Sequence, residues 1–319
     1  AGVLASKPLY RDPVYDGAAD PIVLWNPIVE KWWMFYTNRR ATEIALPGVS
    51  WVFKTPIGIA ESEDGANWDY VGTANLPKLP DELGGKDATL WAPDIVRGDD
   101  GVWHMYLSIQ AGVAERWGKV PGHIVHLTSY NLRDWKFVRR FDLPIGSYDA
   151  DVIRMPDGMW RLYYKDPTNG ASTFYSMEST DLTEWSEPKR VMSYQGEGHI
   201  AFRWKGYYWL ILCDGRGFST FRSDDADEWE RQPGGPLMPY GTGTGKDDVT
   251  TPRHGEVVIS NGRAYLYYFT HPGRIGADKD KDGYEQRRSS IQVVELEFRD
   301  EWIVANRNLP TYVHLTAPE

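Results

Sequence analysis

The stretch Ser62-Glu-Asp-Gly-Ala-Asn-Trp68 is a polar turn followed by a tryptophan, and its pattern recurs along the chain. The same Ser-x5-Trp spacing appears in Ser129-Tyr-Asn-Leu-Arg-Asp-Trp135, Ser179-Thr-Asp-Leu-Thr-Glu-Trp185 and Ser223-Asp-Asp-Ala-Asp-Glu-Trp229. The third position is always Asp or Asn, whose side chains bond nearby backbone in turns. Repetition at one spacing predicts a recurring hairpin between outer strands, whose tryptophan starts the next strand and packs inward.

A second pattern consists of a lead residue, two apolar β-formers, a polar turn and an aromatic strand. Its copies are Asp20-Pro-Ile-Val-Leu, Ala92-Pro-Asp-Ile-Val, Asp149-Ala-Asp-Val-Ile, Glu197-Gly-His-Ile-Ala and His254-Gly-Glu-Val-Val. In the last four copies a glycine follows the lead residue after eight or nine positions and marks a tight hairpin: Gly101, Gly158, Gly206 and Gly262. Five units of about four short strands predict an all-β fold, a five-bladed β-propeller.

We expect one catalytic propeller domain over residues 1–319. The predicted blades cover roughly residues 20–75, 92–140, 149–190, 197–235 and 254–308. The fifth blade lacks the Ser-x5-Trp pattern and is expected to close through residues 290–297. Two β-sandwich domains are the alternative, but no linker divides the chain into halves.

Composition narrows the class of partner. The 319 residues carry a formal net charge of −10, which argues against a nucleic-acid partner, since phosphate binding needs a basic surface. Aromatic residues make up 14% of the chain, which suits packed sheets or a sugar-binding cleft.

Cys213 is the only cysteine, so an intrachain disulfide is excluded, and its apolar strand predicts a buried thiol. No run of about 18 apolar residues predicts a membrane span. A periplasmic or secreted location is slightly favoured over a cytoplasmic one, and the oligomeric state is not predicted.

The lead residues of the five units carry the chemistry. They are Asp20, Ala92, Asp149, Glu197 and His254, and the inner strands of a propeller bring such positions together around its axis. Burying several carboxylates together costs free energy, so such a cluster indicates a function. Three acids and a histidine suit either a metal site or hydrolysis of a glycosidic bond. That hydrolysis needs one carboxylate to activate water and one carboxylic acid to protonate the leaving oxygen.

The ordered segments resemble glycoside hydrolase family 43. The segments that carry the resemblance are Ala19-Asp20-Pro21, Trp91-Ala92-Pro93-Asp94, Asp149-Ala-Asp-Val-Ile153, Gln195-Gly-Glu197-Gly-His199 and His254-Gly-Glu-Val-Val. The resemblance implies a five-bladed propeller that inverts anomeric configuration. It implies Asp20 as general base, Glu197 as general acid and Asp149 as the residue that modulates the pKa of the acid. It also implies that His254 lies near the axis, where some members bind calcium or ordered waters.

This chain departs from the family pattern after two of these acids. Ala150 replaces the usual proline after Asp149 and is followed by Asp151, which stays an alternative for the modulating role. His199 stands where a proline often follows Glu-Gly. No cofactor is expected to be required, with Ca²⁺ as the candidate ion.

Further residues are candidates for binding. Trp91, Asp94, His199 and His254 are the expected substrate-binding residues, and Trp32, Trp33 and Trp51 could join Trp91 in a sugar-stacking wall. Three arginines on predicted loops, Arg216, Arg253 and Arg274, are candidates for clamping sugar hydroxyls. Asp278-Lys-Asp280-Lys-Asp282-Gly283 has the spacing of a calcium loop, but the twelfth position is Ser289 instead of glutamate. This segment is therefore either a calcium loop completed from elsewhere or a solvated turn.

The sequence predicts an inverting exo-glycoside hydrolase whose partner is an oligosaccharide of plant or algal origin, such as an α-L-arabinofuranoside or a β-D-xyloside. One alternative is the sister propeller family 117, whose members release anhydrogalactose from agar oligosaccharides. Another is a propeller that binds glycans without cleaving them. A retaining fructan hydrolase would have a Glu-Cys pair, where this chain has Glu197-Gly198.

Overall fold

The computed structural model describes residues 1–168 and 173–319. Apart from one short helix, α1 (Tyr284–Arg287), and a few 3₁₀ turns, the regular structure in these ranges is β. The strands in chain order are β1 (Val3–Leu4), β2 (Ala18–Asn26), β3 (Lys31–Asn38), β4 (Ile57–Ser62), β5 (Asp69–Thr73), β6 (Thr89–Arg97), β7 (Trp103–Gln110), β8 (Gly122–Ser129), β9 (Lys136–Arg140), β10 (Tyr148–Arg154), β11 (Trp160–Asp166), β12 (Thr173–Ser179), β13 (Lys189–Ser193), β14 (Glu197–Trp204), β15 (Tyr207–Cys213), β16 (Phe218–Ser223), β17 (Glu230–Arg231), β18 (Arg253–Ser260), β19 (Arg263–Thr270), β20 (Ser290–Arg299), β21 (Trp302–Val304) and β22 (Tyr312–Val313).

These strands form five blades. Each blade is an antiparallel sheet of four consecutive strands: β2–β5, β6–β9, β10–β13, β14–β17 and β18–β21. The first strands of the blades contact one another around an axis, and β18 of the fifth blade meets β2 of the first. The two strands at the chain ends, β1 and β22, pair with each other outside the blades. The predicted all-β, five-bladed propeller is therefore confirmed.

The Ser-x5-Trp segments connect the third and fourth strands of the first four blades, as predicted. In the second blade, the Ser129 hydroxyl oxygen accepts the Leu132 N–H at 2.9 Å. The Asn131 side chain accepts the Asp134 N–H at 2.8 Å, and the Trp135 indole donates to the Leu132 carbonyl at 3.1 Å. The serine and Asp/Asn bonds recur in the other three copies. The repeat is thus explained by side chains that accept hydrogen bonds from the backbone N–H groups of a tight turn.

Replacing Ser129 with alanine should destabilise the protein. The buried Leu132 N–H would lose its acceptor, which typically costs about 1–3 kcal/mol. Urea unfolding measures this change in the free energy of unfolding. The neighbouring Tyr130→Ser, at a side chain that is 77% exposed, is the control and should change stability by less than about 0.5 kcal/mol. Equal stability of the two variants would contradict this explanation of the repeat.

The fifth blade closes with a different turn. Its third strand, β20, runs to Arg299, beyond the predicted closing segment at residues 290–297. Asp300 and Glu301 then form a two-residue turn with φ of 52° and 67° and lead into β21. Positive φ at both central residues is typical of the type I′ hairpin, which matches the twist of the strands. This hairpin replaces the longer Ser-x5-Trp connection.

Aromatic residues fill the space between blades. Trp32 and Trp33 are 5% and 4% exposed and belong to two hydrophobic clusters between neighbouring sheets. The expectation that they join a sugar-stacking wall is therefore wrong, because their rings are used in blade packing.

Within the described ranges, none of the helices has the length and apolar character needed to cross a membrane.

Candidate active site

A β-bulge interrupts the first strand of every blade, between its first residues and the rest of the strand. The first residues of the five bulges are Asp20, Ala92, Asp149, Gly198 and His254. All five line one cavity of about 1050 Å³ at the axis, to which every blade contributes. Bulges are frequent beside active sites because they redirect side chains. The predicted convergence at the lead positions is thus found, with one correction.

Glu197 lies one residue before its bulge, so the assumption that it shares the position of Asp20 and Asp149 is wrong. The bulge residue of the fourth blade is Gly198, whose φ is 59°. A Cβ there would lie 2.7 Å from the Cβ of His254, so glycine is required both by the left-handed backbone and by this close approach. Gly198 also donates its N–H to the Asp149 carboxylate at 3.1 Å, which joins the third and fourth blades beside Glu197.

Asp20 and His254 form an ion pair across the junction of the first and fifth blades. The distance from His254 Nδ1 to Asp20 Oδ1 is 3.0 Å. Burial opposes charge on Asp20, but the hydrogen bond and charge of His254, with the charge of Arg39, bring its pKa below the usual value. Burial also opposes charge on His254, yet the bond to Asp20 and the charges of Asp149 and Asp20 raise its pKa to about 9. Asp20 is therefore held ionised in neutral solution.

Asp149 has a different environment although it is close by. It is 9% exposed, and its N–H donates to the Ser108 hydroxyl at 2.8 Å. Burial, together with repulsion from Asp20 and Glu197, raises the pKa of Asp149 to about 6, against the opposing charge of His254. Its protonation thus responds to both neighbouring carboxyl groups.

Glu197 is the most exposed of the three acids. The Tyr148 hydroxyl donates to Glu197 Oε2 at 3.1 Å. Lys165 Nζ donates to the Gly196 carbonyl at 2.7 Å and lies 5.4 Å from the centre of the Tyr148 ring. These contacts hold the backbone before Glu197 and one of its carboxylate oxygens, while the side chain stays open to the cavity.

Asp94 and Asp151 lie outside the residues that line the cavity. Each comes two positions after its bulge residue and accepts a backbone N–H from the next blade: Asp94 from Val152 at 2.6 Å, and Asp151 from Ala201. The expected substrate-binding role of Asp94 is therefore wrong, because its carboxylate links the second blade to the third. Asp149 lines the cavity and Asp151 does not, which favours Asp149 for the modulating role.

His199 is also a structural residue in place of the expected substrate ligand. It is 1% exposed, and its Nε2 lies 3.0 Å from the Tyr163 carbonyl oxygen. Its ring packs edge-on against Phe174. As the second residue of the bulge, it turns away from the cavity that His254 lines.

Aromatic rings form one wall of the cavity. The Trp91 indole donates to the Val52 carbonyl at 2.8 Å, and its ring centre lies 5.4 Å from that of Phe53 and 5.9 Å from that of Trp117. Trp117 is 59% exposed, and Trp51 lines the same cavity. The sequence reasoning missed Trp117. Its place beside a glycine in a polar loop, outside any strand pattern, is the signal that could have identified it.

The candidate metal residues do not form a metal site. Asp278 pairs with Lys281 at 2.6 Å, and Asp282 pairs with Arg287 at 2.8 Å. In the parts of the chain that the structure describes, no group of three His, Cys, Asp or Glu side chains is arranged to hold a metal ion. His254 is bonded to Asp20 and its raised pKa favours the protonated ring, which is poorly suited to coordinate calcium. The Asp-x-Asp-x-Asp segment is a turn held by ion pairs, and the residues present do not fit the expected Ca²⁺.

Cys213 differs from its predicted burial. It ends β15, is half-buried and lines the cavity. The middle of the strand is buried as expected, and Cys213 is half-buried where the strand ends at the cavity.

Comparison with known proteins shows what this fold resembles. No family model matches the sequence. No curated protein matches it either. Solved structures do match: a thermostable family-43 glycoside hydrolase is 18% identical, with a TM-score of 0.71 over 96% of this chain and 99% of that one.

Two other matches contain a bound ligand. A family-43 β-1,3-galactosidase with galactodeoxynojirimycin is 15% identical, with a TM-score of 0.67 over 99% of both chains. A family-43 enzyme from Xanthomonas citri complexed with xylotriose is 13% identical, with a TM-score of 0.63 over 100% of this chain and 96% of that one. The chain therefore has, over nearly its whole length, the five-bladed propeller fold of the family-43 glycoside hydrolases.

Proposed function

We propose that the protein is an inverting, exo-acting glycoside hydrolase in which Asp20 is the general base, Glu197 the general acid and Asp149 the modulating residue. The observation that carries the proposal is the pair of unlike carboxyl groups in one cavity. Asp20 is held ionised by His254, while Glu197 is open to the cavity beside Asp149. Inverting hydrolysis needs this division between a base that activates water and an acid that protonates the leaving oxygen.

The placement of the two carboxyl groups supports inversion. Asp20 belongs to the first blade and Glu197 to the fourth, with His254 of the fifth blade between them around the axis. An inverting pair needs room for a water molecule on the sugar face opposite the acid, and its carboxyl groups are typically ~6.5–9.5 Å apart. Asp20 would take a proton from that water as it attacks the anomeric carbon, and Glu197 would give its proton to the departing oxygen.

The walls of the cavity support a sugar substrate that enters by its end. Residues from all five blades and from the loops around Trp51 and Trp117 surround the space. Such a cavity admits a chain end more readily than the middle of a polymer. The rings of Trp91 and Trp117 offer apolar faces on which a sugar ring can stack. We propose plant or algal oligosaccharides as substrates, with arabinofuranosides and xylosides as the first candidates.

A screen of aryl glycosides and oligosaccharides tests the proposal. The wild type should release sugar from at least one substrate, and the double variant Asp20→Asn/Glu197→Gln should release none. Both should have the same circular dichroism spectrum. Binding of a glycan that neither protein cleaves would contradict hydrolysis and support a glycan-binding propeller.

Replacing His254 with glutamine should move the acidic limb of the pH–rate profile to higher pH. Without the His254 cation, burial would dominate and the pKa of Asp20 would rise, so the base would be protonated over a wider acidic range. The profile of kcat/KM measures this shift. The control is His314→Gln, outside the cavity-lining residues, which should leave the limb in place. An unmoved limb in His254→Gln would show that His254 does not keep Asp20 ionised.

Replacing Asp149 with asparagine should move the alkaline limb to lower pH. Asp149, with a pKa of about 6, is negative near neutrality and its charge favours the protonated form of the acid next to it. Without that charge the acid would lose its proton at lower pH. Asp151→Asn is the matched comparison, because its carboxylate bonds to Ala201 outside the cavity lining. A shift in Asp151→Asn alone would assign the modulating role to Asp151.

A further inference from the structure

Three arginines line the cavity on the side of the first and fifth blades. Arg39 follows β3, Arg253 begins β18, and Arg274 lies between β19 and β20. They come from segments far apart in the chain, and the closure of the ring between β2 and β18 brings them together. Burial and the charge of Arg39 lower the pKa of Arg253, and Arg274 is subject to the same two effects.

Among the described residues, none of these arginines has a carboxylate within ion-pair distance, although the charge of Asp282, which is paired with Arg287, acts on Arg274. Arg39 Nη1 lies 3.1 Å from His271 Nε2, and the Arg39 guanidinium lies 5.2 Å from the centre of the Phe269 ring. Arg274 Nε donates to the Gln286 carbonyl at 3.0 Å. The Nε atoms of Arg39 and Arg253 are buried and have no hydrogen-bond partner among the described residues. The contacts of Arg39 and Arg274 thus position their guanidinium groups, while Arg39 and Arg253 each keep a free N–H donor.

Three of the buried or partly buried arginines elsewhere in the chain are neutralised by carboxylates. Arg287 pairs with Asp282 at 2.8 Å, Arg288 pairs with Asp247 at 2.8 Å, and Arg161 pairs with Glu178 at 2.6 Å. By contrast, none of the three cavity arginines is in an ion pair within the described ranges. The chain has 45 acidic and 35 basic side chains, so carboxylates are abundant. An unpaired cluster of cations in an acidic protein therefore indicates a role in binding.

The cluster is unfavourable in the free protein. Burial and the charges of Arg253 and Arg39 lower the pKa of Arg274 to about 9. The nearby catalytic carboxylates relieve this only in part, because Asp20 is already bonded to His254 and Glu197 to Tyr148. A neutral sugar hydroxyl would leave the repulsion between the arginines intact. A bound anion would remove it and would use the free donors.

We infer that the substrate of the proposed hydrolase carries an oxyanion, either the carboxylate of a uronic acid or a sulfate ester, which binds to Arg39, Arg253 and Arg274. This inference rests on the proposed function and narrows it, since the arabinofuranosides and xylosides named there are neutral and would qualify only within an oligosaccharide that carries such a group. Guanidinium groups can bind two oxygens of a carboxylate or of a tetrahedral oxyanion with two parallel hydrogen bonds, which makes arginine better suited than lysine for this task. In this arrangement the sugar ring stacks on Trp91 and Trp117, and its anionic group binds to the arginines.

Binding to pairs of oligosaccharides tests the inference. The carboxylate arm uses uronic-acid oligosaccharides and their carboxyl-reduced neutral forms, and the sulfate arm uses carrageenan oligosaccharides and their desulfated forms. The calorimetry uses Glu197→Gln, because its turnover is slowed by ~10²–10⁴-fold and little substrate is cleaved during the titration. In at least one pair, we expect the charged member to bind at least about 10-fold more tightly than its neutral form. Its affinity should fall as salt is added. The arm that responds identifies the oxyanion.

Arginine variants made in the Glu197→Gln background assign the effect to the cluster. Arg274→Gln should remove most of the preference for the charged member and change the affinity for the neutral member by no more than about 3-fold, since charge-assisted hydrogen bonds are stronger than neutral ones. Arg299→Gln is the matched control. Its side chain is 63% exposed and ends β20 at the opposite end of the blade, so it should bind both members as before.

Two results would overturn the inference. One is that no charged oligosaccharide binds more tightly than its neutral form. The other is that Arg274→Gln weakens both members of a pair equally, which would assign the arginine to sugar hydroxyls. Failure of the proposed function looks different: charged glycans would bind with the expected preference, but the wild type would cleave none of them. Cleavage of neutral glycosides without any anion preference would overturn the inference alone.

Discussion

Glu197→Gln is expected to lower kcat/KM on natural glycosidic linkages by ~10²–10⁴-fold, the usual contribution of general acid catalysis. The amide keeps the shape of the side chain and can still contact the Tyr148 hydroxyl, but it has no proton to donate to the leaving oxygen. Aryl glycosides with good leaving groups hardly need that proton. Their hydrolysis should therefore fall much less, and the ratio of the two losses is the quantity to measure.

The control for Glu197→Gln is Glu184→Gln. Glu184 is exposed in the Ser-x5-Trp turn of the third blade and is not among the cavity-lining residues. It should leave both rates unchanged. Equal losses on natural and aryl substrates in Glu197→Gln would mean that the residue positions the substrate instead of protonating it.

Asp20→Asn is expected to abolish measurable turnover while substrate binding stays nearly intact. Asparagine cannot accept a proton from water, and its loss of charge removes the partner of His254. Steady-state kinetics and calorimetry measure the two effects separately. Asp69→Asn, at an exposed position of β5, should leave both unchanged. If azide restores turnover in Asp20→Asn, its product should have the inverted configuration. An Asp20→Asn variant that binds poorly but turns over normally at saturation would contradict the role of base.

The repeat could be predicted because its cause is local. Each Ser-x5-Trp copy satisfies its own backbone, so the four copies keep both the residue types and the spacing. Their number, with five copies of the second pattern, predicts the blades. The lead positions likewise predict the cavity, since four of the five lead residues are bulge residues and the fifth, Glu197, directly precedes one.

The bulges also explain what the sequence could not settle. A bulge inserts one extra residue into a strand and leaves no characteristic residue type in the sequence. The sequence therefore does not show whether Glu197 or Gly198 occupies the bulge position of the fourth unit. The same ambiguity affected Asp94 and His199, which belong to the family-like segments but turn away from the cavity. Arg39 was missed because nothing local marks it. Its proximity to Arg253 and Arg274 arises only when the first and fifth blades meet.

Proton NMR of the first-formed sugar tests the central claim most directly. The reaction is run in deuterated water with enough enzyme that cleavage is complete before the released sugar mutarotates. If Asp20 activates water on the face opposite Glu197, the first anomeric signal belongs to the configuration opposite to that of the substrate, and the other anomer appears later. A first-formed product with the configuration of the substrate would contradict the assignment of Asp20 as base.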